Sequence, residues 1–194
     1  LAFKDGKEAY TDVKIGNKAV SKDMQEIDGL RSTGEFGEIL ADIFDPWTAA
    51  AFGAPSRTSE RGRSAWKYKF EVPRERSHWR VMDGGQLYYP AFRGTIWVDR
   101  ESSRVLRFEV EARNIPPLFP LDQVEIATDY DLVRLTATQP YLLPTVAEVL
   151  SCQHSSSHCN RNRIEFRNYH RFGAESGITF GEKQQDEKPE DKQR

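Results

Sequence analysis

Apolar and polar residues alternate along most of this chain. In Arg63–Val72, Trp66, Tyr68, Phe70 and Val72 fall on one parity, and Lys67, Lys69 and Glu71 fall on the other. Within Arg104–Ala112, Leu106, Phe108 and Val110 oppose Arg107, Glu109 and Glu111 in the same way. The pattern returns at Ile126, Thr128 and Tyr130 against Glu125, Asp129 and Asp131, and at Ile164 and Phe166 against Glu165 and Arg167. Successive side chains of a strand point to opposite faces, so each segment predicts a strand with one greasy and one charged face. Such strands build antiparallel sheets with one face in water; a parallel sheet between helix layers reads instead as continuous apolar runs.

Ser32–Phe44 follows a different period. Phe36, Ile39, Leu40, Ile43 and Phe44 have the spacing of a helix with one apolar stripe, and Ser32 with Glu35 matches a capping box. Asp45-Pro46 predicts an end to that helix and the start of a short second one, with Trp47, Ala50, Ala51 and Phe52 on its buried side. Asp83-Gly84-Gly85 and Asp99–Ser103 are turn chemistry. Asn114–Asp122, with three prolines and four large apolar residues, predicts a stiff loop lying across a sheet edge or mouth. From Gly181 onward there is no apolar residue, so 181–194 reads as a disordered charged tail. Residues 1–180 read as a single domain, opening at Leu1-Ala2-Phe3 on a strand entered part-way.

Seven or eight strands expose more apolar face than one helix and a short follower can cover. The expected fold class is therefore α+β: a strongly curved antiparallel sheet, an unclosed half-barrel, with one or two helices in the concave face. A sandwich of two sheets is the alternative, though it gives the helix no obvious place.

Composition narrows the function. A chain of 194 residues buries about 70% of its surface on folding, enough for an independent core. The net charge is −2, from 28 basic and 30 acidic residues. A chain built to bind phosphate backbones is normally basic, so no nucleic-acid partner is expected. No apolar run approaches the roughly 18–20 residues of a membrane helix, and no charged-apolar-small leader opens the chain.

Few residues invite chemistry. Cys152 and Cys159 flank QHSSSH between predicted strands Leu142–Leu150 and Arg163–Tyr169, which places them at facing strand ends, where a disulfide fits. The competing readings are a metal site made with His154 and His158, and two free thiols; the spacing matches none of the usual zinc patterns. Arg57, Arg61, Arg63, Arg74, Arg76 and Arg80, interleaved with Trp66, Tyr68 and Trp79, read as a solvated sheet face diluted by Glu60, Glu71 and Glu75. Asp129 with Asp131, and Glu109 with Glu111, fit water-facing strand positions where no desolvation shifts a pKa. Ser155–His158 lacks anything to position a base or an oxyanion hole. Without a nucleophile elbow, P-loop, dinucleotide fingerprint or zinc-protease motif, no enzyme, cofactor or metal is expected.

Gly94–Ala112, GTIWVDRESSRVLRFEVEA, resembles the strand-turn-strand of the bacterial lipoprotein-carrier superfamily, which comprises LolA, LolB and outer-membrane lipoprotein-sorting relatives. The matching elements are Trp97-Val98-Asp99 and Arg107-Phe108-Glu109. Tyr141-Leu142-Leu143-Pro144 and Phe166–Phe172 resemble later segments of that family, and the likeness covers Arg57–Phe180. It extends to bacterial proteins sharing the CQ…C hairpin and the Phe172–Ser176 segment. The resemblance implies a half-barrel whose concave apolar face binds acyl chains or is plugged by helices, in the periplasm or elsewhere in the cell envelope.

The expectation is therefore a non-enzymatic extracytoplasmic binding module for a lipid, a lipoprotein acyl chain or another apolar ligand. Its lining candidates are Trp66, Tyr68, Phe70, Leu106, Phe108 and Val110. The alternative is an interaction domain of a larger envelope protein, with a helix-plugged core and the proline loop Asn114–Asp122 as its contact.

Overall fold

A computed structural model describes residues 2–4, 7–9, 11, 14–15, 18–19, 37–135, 140–154 and 158–170. Two small hairpins come first: β1 (Ala2–Lys4) with β2 (Lys7–Ala9), and β3 (Lys14–Ile15) with β4 (Lys18–Ala19). The one helix among the described residues is α1 (Glu38–Phe44). It is followed by β5 (Ala51–Phe52), β6 (Ser56–Glu60), β7 (Arg63–Val72), β8 (Val81–Asp83) and β9 (Gln86–Tyr88). The chain continues through β10 (Ala91–Asp99), β11 (Val105–Arg113), β12 (Leu121–Arg134), β13 (Pro140–Gln153) and β14 (Cys159–Glu165).

The main sheet has eight strands in the order β14-β13-β12-β11-β10-β7-β5, with β6 also on β7. Every pairing is antiparallel, and β14 does not meet β5 or β6, so the sheet is not closed. From β10 to β14 it is a meander, the topology that short turns between period-two strands favour. The β8–β9 hairpin is inserted between β7 and β10 and turns at Gly84 and Gly85, whose φ values of 54° and 77° suit glycine.

Register sorts the side chains into two faces. Phe70 lies opposite Gly94, Gly94 opposite Val110, and Val110 opposite Ile126. In the next row Tyr68, Ile96, Phe108, Thr128 and Ala147 face one another across five strands. These positions form the apolar face, and Phe108 and Phe70 are 0% and 1% exposed. The ring of Phe70 lies over Gly94, where a Cβ would sit 2.6 Å from the ring and 2.2 Å from the Glu109 carbonyl oxygen. Ile39 and Ile43 of α1, Trp79, Val81 and Tyr88 from the segment around the β8–β9 hairpin, and Phe119 of the proline loop join the same core. Each fully buried side chain of this size contributes roughly 1.5–3 kcal/mol.

Several local expectations change. α1 occupies the end of the predicted helix; Ser32–Phe36, with the capping box, lie outside the described residues, as does 181–194. No second helix follows Pro46. The Asp45 carboxylate accepts the Trp47 N–H at 2.7 Å, closing a turn at 46–48, and Ala49 follows with a φ of 48°. Ala51 and Phe52 then form a strand rather than a buried helix side, and Trp47 and Phe52 are 60% and 41% exposed. In the proline loop Phe119 is buried, Tyr88 Oη donates to the Asn114 carbonyl at 2.9 Å, and Leu118 is 93% exposed.

Leu106 also moves. Trp97 pairs with Arg107 while Val98 pairs with Val105, so Leu106 is the extra residue of a bulge. It leaves the row of Phe108 and Val110 and packs with Ala65 and Trp97 in a small second cluster. Bulges also interrupt β12–β13 near Asp122 and Thr145.

Candidate functional site

The opposite face of the sheet is charged, and over it lies a groove of about 800 Å³. Lys69 and Glu71 of β7, Arg93 and Thr95 of β10, Arg107, Glu109 and Glu111 of β11, Glu125 of β12, Glu148 of β13 and Arg161 of β14 line it. Phe70, Gly94, Val110, Ile126, Ala127 and Leu150 also border it, but its charged members come from alternate positions, so the alternation that builds the core also charges the groove.

Most of these charges are engaged across strands. Arg93 donates through Nε and Nη2 to Glu111 Oε2, at 3.0 and 2.9 Å, and Arg113 Nη1 reaches Glu111 Oε1 at 2.8 Å. Arg107 lies between two carboxylates, giving Nη1 to Asp129 at 2.6 Å, and Nε and Nη2 to Glu109 at 2.9 and 2.7 Å. Glu148 accepts from Arg161 and, at 3.2 Å, from Arg163. Glu125 takes a neutral partner, the Gln123 amide at 2.6 Å. At one end Trp97 lies between cations, with Lys67 5.2 Å and Arg107 6.0 Å from its ring centroid.

These pairs fix protonation. Burial pushes the Glu111 carboxyl upward, but hydrogen bonds from Arg93 and Arg113 outweigh it and hold the group below its ordinary range. Arg161 above all keeps Glu148 low as well. Burial works against the charge of Arg107, and its bonds to Asp129 and Glu109 more than restore it. Asp99, buried beside the groove end, is held far below the carboxylate range by Arg63 Nε at 2.8 Å, with Ser102 assisting. Carboxylates locked as anions make poor proton shuttles near neutral pH, whereas fixed charges of both signs suit recognition of a polar partner.

The six lining candidates are separated. Phe70, Phe108 and Val110 meet in the main core, and Tyr68, half-buried, packs against its rim. Leu106 is on the charged side of the bulge. Trp66, half-buried, is flanked by Arg57 and Arg100. The predicted arginine cluster also divides: Arg61 pairs with Asp131 and Arg63 with Asp99 at one end, while Arg74 lies over Tyr88 and Arg76 over Trp47 at the other. Glu109 and Glu111, expected to be plain solvated carboxylates, are half-buried members of the ion-pair ladder.

Cys152 and Cys159 are direct partners across β13 and β14, with sulfurs 2.09 Å apart in a disulfide. Their thiolates are thus taken up, and the metal alternative loses half its ligands. Among the described residues no group of three or more His, Cys, Asp or Glu is placed to hold a metal. None of their helices is long and apolar enough to cross a membrane.

Comparison with protein-family models, curated proteins and solved structures returns no match. The lipoprotein-carrier likeness therefore rests on the sequence motifs alone, Trp97-Val98-Asp99 and Arg107-Phe108-Glu109 first among them.

Proposed function

We propose that this chain is a non-enzymatic interaction domain of the cell envelope, with its apolar sheet face plugged by its own helix and loops and its partner received on the charged face. One observation carries the reading. The open volume lies over a floor rich in Arg and Glu, while Phe70 and Phe108 are 1% and 0% exposed and belong to the core with Ile39, Ile43 and Phe119. An unclosed half-barrel wound around the charged face, opposite in sense to the sequence expectation, accounts for that groove. The partner that fits is an extended protein segment carrying both signs of charge. The Cys152–Cys159 disulfide supports an oxidising, extracytoplasmic setting.

A photo-crosslinking residue in place of Thr95, on the groove floor, tests this in envelope extracts. The expected result is a discrete protein adduct that raised salt suppresses. An adduct spectrum identical to that of a probe at exposed Leu118 contradicts the reading.

A second reading keeps the lipid or acyl-chain carrier. Exposed Phe52 stacks on exposed Phe44 with centroids 6.0 Å apart at the sheet edge, and meets half-buried Tyr68 and buried Phe70 at 6.5 and 5.5 Å. Titration with a fluorescent fatty acid separates the two: saturable binding that Phe52→Asp abolishes establishes the carrier, and its absence leaves the interaction domain.

A further inference from the structure

Strand β14 forms one outer edge of the sheet, with β13 its only strand neighbour among the described residues. The Gln153 N–H bonds the His158 carbonyl at 3.1 Å and the Phe166 N–H bonds the Thr145 carbonyl at 3.0 Å, so even-numbered residues turn their peptide groups toward β13. The register runs without a shift from Val146–Glu165 to Cys152–Cys159. Arg161, Arg163 and Glu165 therefore turn their peptide groups outward, where no described residue meets them. Sheet edges are ordinarily blunted by proline, a bulge, a short strand or a charge on the buried parity. The opposite edge is blunted in this way, since β5 has two residues and Pro55 separates it from β6. β14 has seven residues, no proline and no bulge, and sets Asn160, Asn162 and Ile164 on the apolar parity. The Cys152–Cys159 disulfide fixes one end of it to β13.

Charge selects what this edge can take. Arg161 and Arg163 share one carboxylate, Glu148, and their side chains remain 68% and 54% exposed. Glu165 serves Arg167 as well as Arg163, so three guanidinium groups along the edge meet two carboxylates. A second copy of β14 would add to that excess, whereas a strand bearing carboxylates offsets it, because side chains directly opposite on paired strands interact. We infer that the β14 edge docks an extended, carboxylate-rich segment of another protein, added to the sheet as an antiparallel strand. Such a segment carries Glu or Asp opposite Arg161 and Arg163, an apolar residue opposite Ile164, and Lys or Arg opposite Glu165. In its own direction it reads basic, apolar, acidic, any, acidic. The edge adjoins the groove at Arg161 but acts through main-chain groups, so this docking stands or falls apart from what the groove floor receives.

The probe is the peptide acetyl-TKVETEV-amide, titrated into the isotope-labelled full chain and followed by backbone amide shifts. Saturable shifts are expected at Arg161, Arg163 and Glu165. In the antiparallel pairing both glutamate N–H groups of the peptide point at β14, so N-methylation of the two glutamates should abolish binding. N-methylation of the residue before each glutamate should leave it intact. R161Q/R163Q should weaken binding severalfold. Arg163→Pro, which removes an outward N–H and spares every bond to β13, should weaken it further, with thermal unfolding confirming that both variants are folded. Absence of saturable binding overturns the assignment, as does equal loss with the two methylation patterns or unchanged affinity in R161Q/R163Q. Hydrogen exchange of the free protein separates other occupants. The Arg161 and Arg163 amides should exchange far faster than those of Asn162 and Ile164. Protection of Arg161 and Arg163 that grows with protein concentration would put a second copy on the edge, and protection independent of concentration would put another part of this chain there; either result overturns the proposal.

Discussion

The two faces of one sheet, built from alternate residues of the same strands, differ in what they do with neighbouring groups. On the apolar side Phe70, Phe108 and Val110 are closed over by Ile39, Ile43, Trp79 and Phe119. On the charged side Arg93 pairs with Glu111, Arg107 with Glu109 and Glu148 with Arg163, and an open groove lies over them. Burial on the first face is worth kilocalories per side chain, while partly exposed ion pairs on the second are each worth about 0–1 kcal/mol. Stability therefore belongs to one face, and the other is free to vary at little cost to the fold.

Adjacent residues of β11 give the sharpest contrast. Phe108→Ala should destabilise by about 3–5 kcal/mol through lost burial and a cavity, and Glu109→Gln by about 1 kcal/mol or less. Urea denaturation of both variants measures the difference, and near-equal losses would dissolve the distinction between the faces. Next in size is the disulfide. Replacing Cys152 and Cys159 together by serine should remove about 2–3 kcal/mol, the chain-entropy value for so short a loop, and reductant should then leave the variant's midpoint unchanged. Gly94→Ala should cost about 1–3 kcal/mol, since its Cβ must displace either the Phe70 ring or the Glu109 carbonyl; a wild-type thermal midpoint would show that β10 and β7 are not so closely apposed.

The smallest expected effect is the pH dependence of the ladder. Glu111, Glu148 and Asp99 have folded-state pKa values below their unfolded ones, so each contributes stability that is fully present above about pH 4–4.5. That contribution fades as pH falls through the depressed folded values. Asp42 of α1, raised by partial burial and only partly offset by His78, acts oppositely and favours folding as pH drops. Denaturation midpoints between pH 7 and pH 3 should thus decline on acidification, and Glu111→Gln should flatten the decline.

Much of this was legible in the residues. The alternation through Trp66–Val72, Phe108–Ala112 and Ile126–Tyr130 specified strands, faces and the antiparallel meander, because side-chain direction follows parity. The facing cysteines followed from strand ends brought together by a hairpin. Leu106 was not legible, since a single extra residue in β11 reverses parity, and only pairing with β10 reveals it. Trp47 and Phe52 were misplaced because helical spacing ignores the Asp45 side chain, which captures the next turn's N–H and diverts the chain into β5. The groove was missed for a different reason. Its residues carry the same signal as the core, and charged positions on a strand read as solvated until cross-strand register brings Arg93 to Glu111 and Arg107 to Asp129.

Hydroxyl-radical footprinting of the native protein, read residue by residue by mass spectrometry, bears most directly on the sealing of the apolar face. Phe70 and Phe108 should be protected by at least an order of magnitude relative to Trp47 and Leu118, and should become reactive only on unfolding. Oxidation of Phe108 in the folded protein at a rate approaching that of Leu118 would mean that the face is open, and the account of a plugged core with its binding side on the charges would fail.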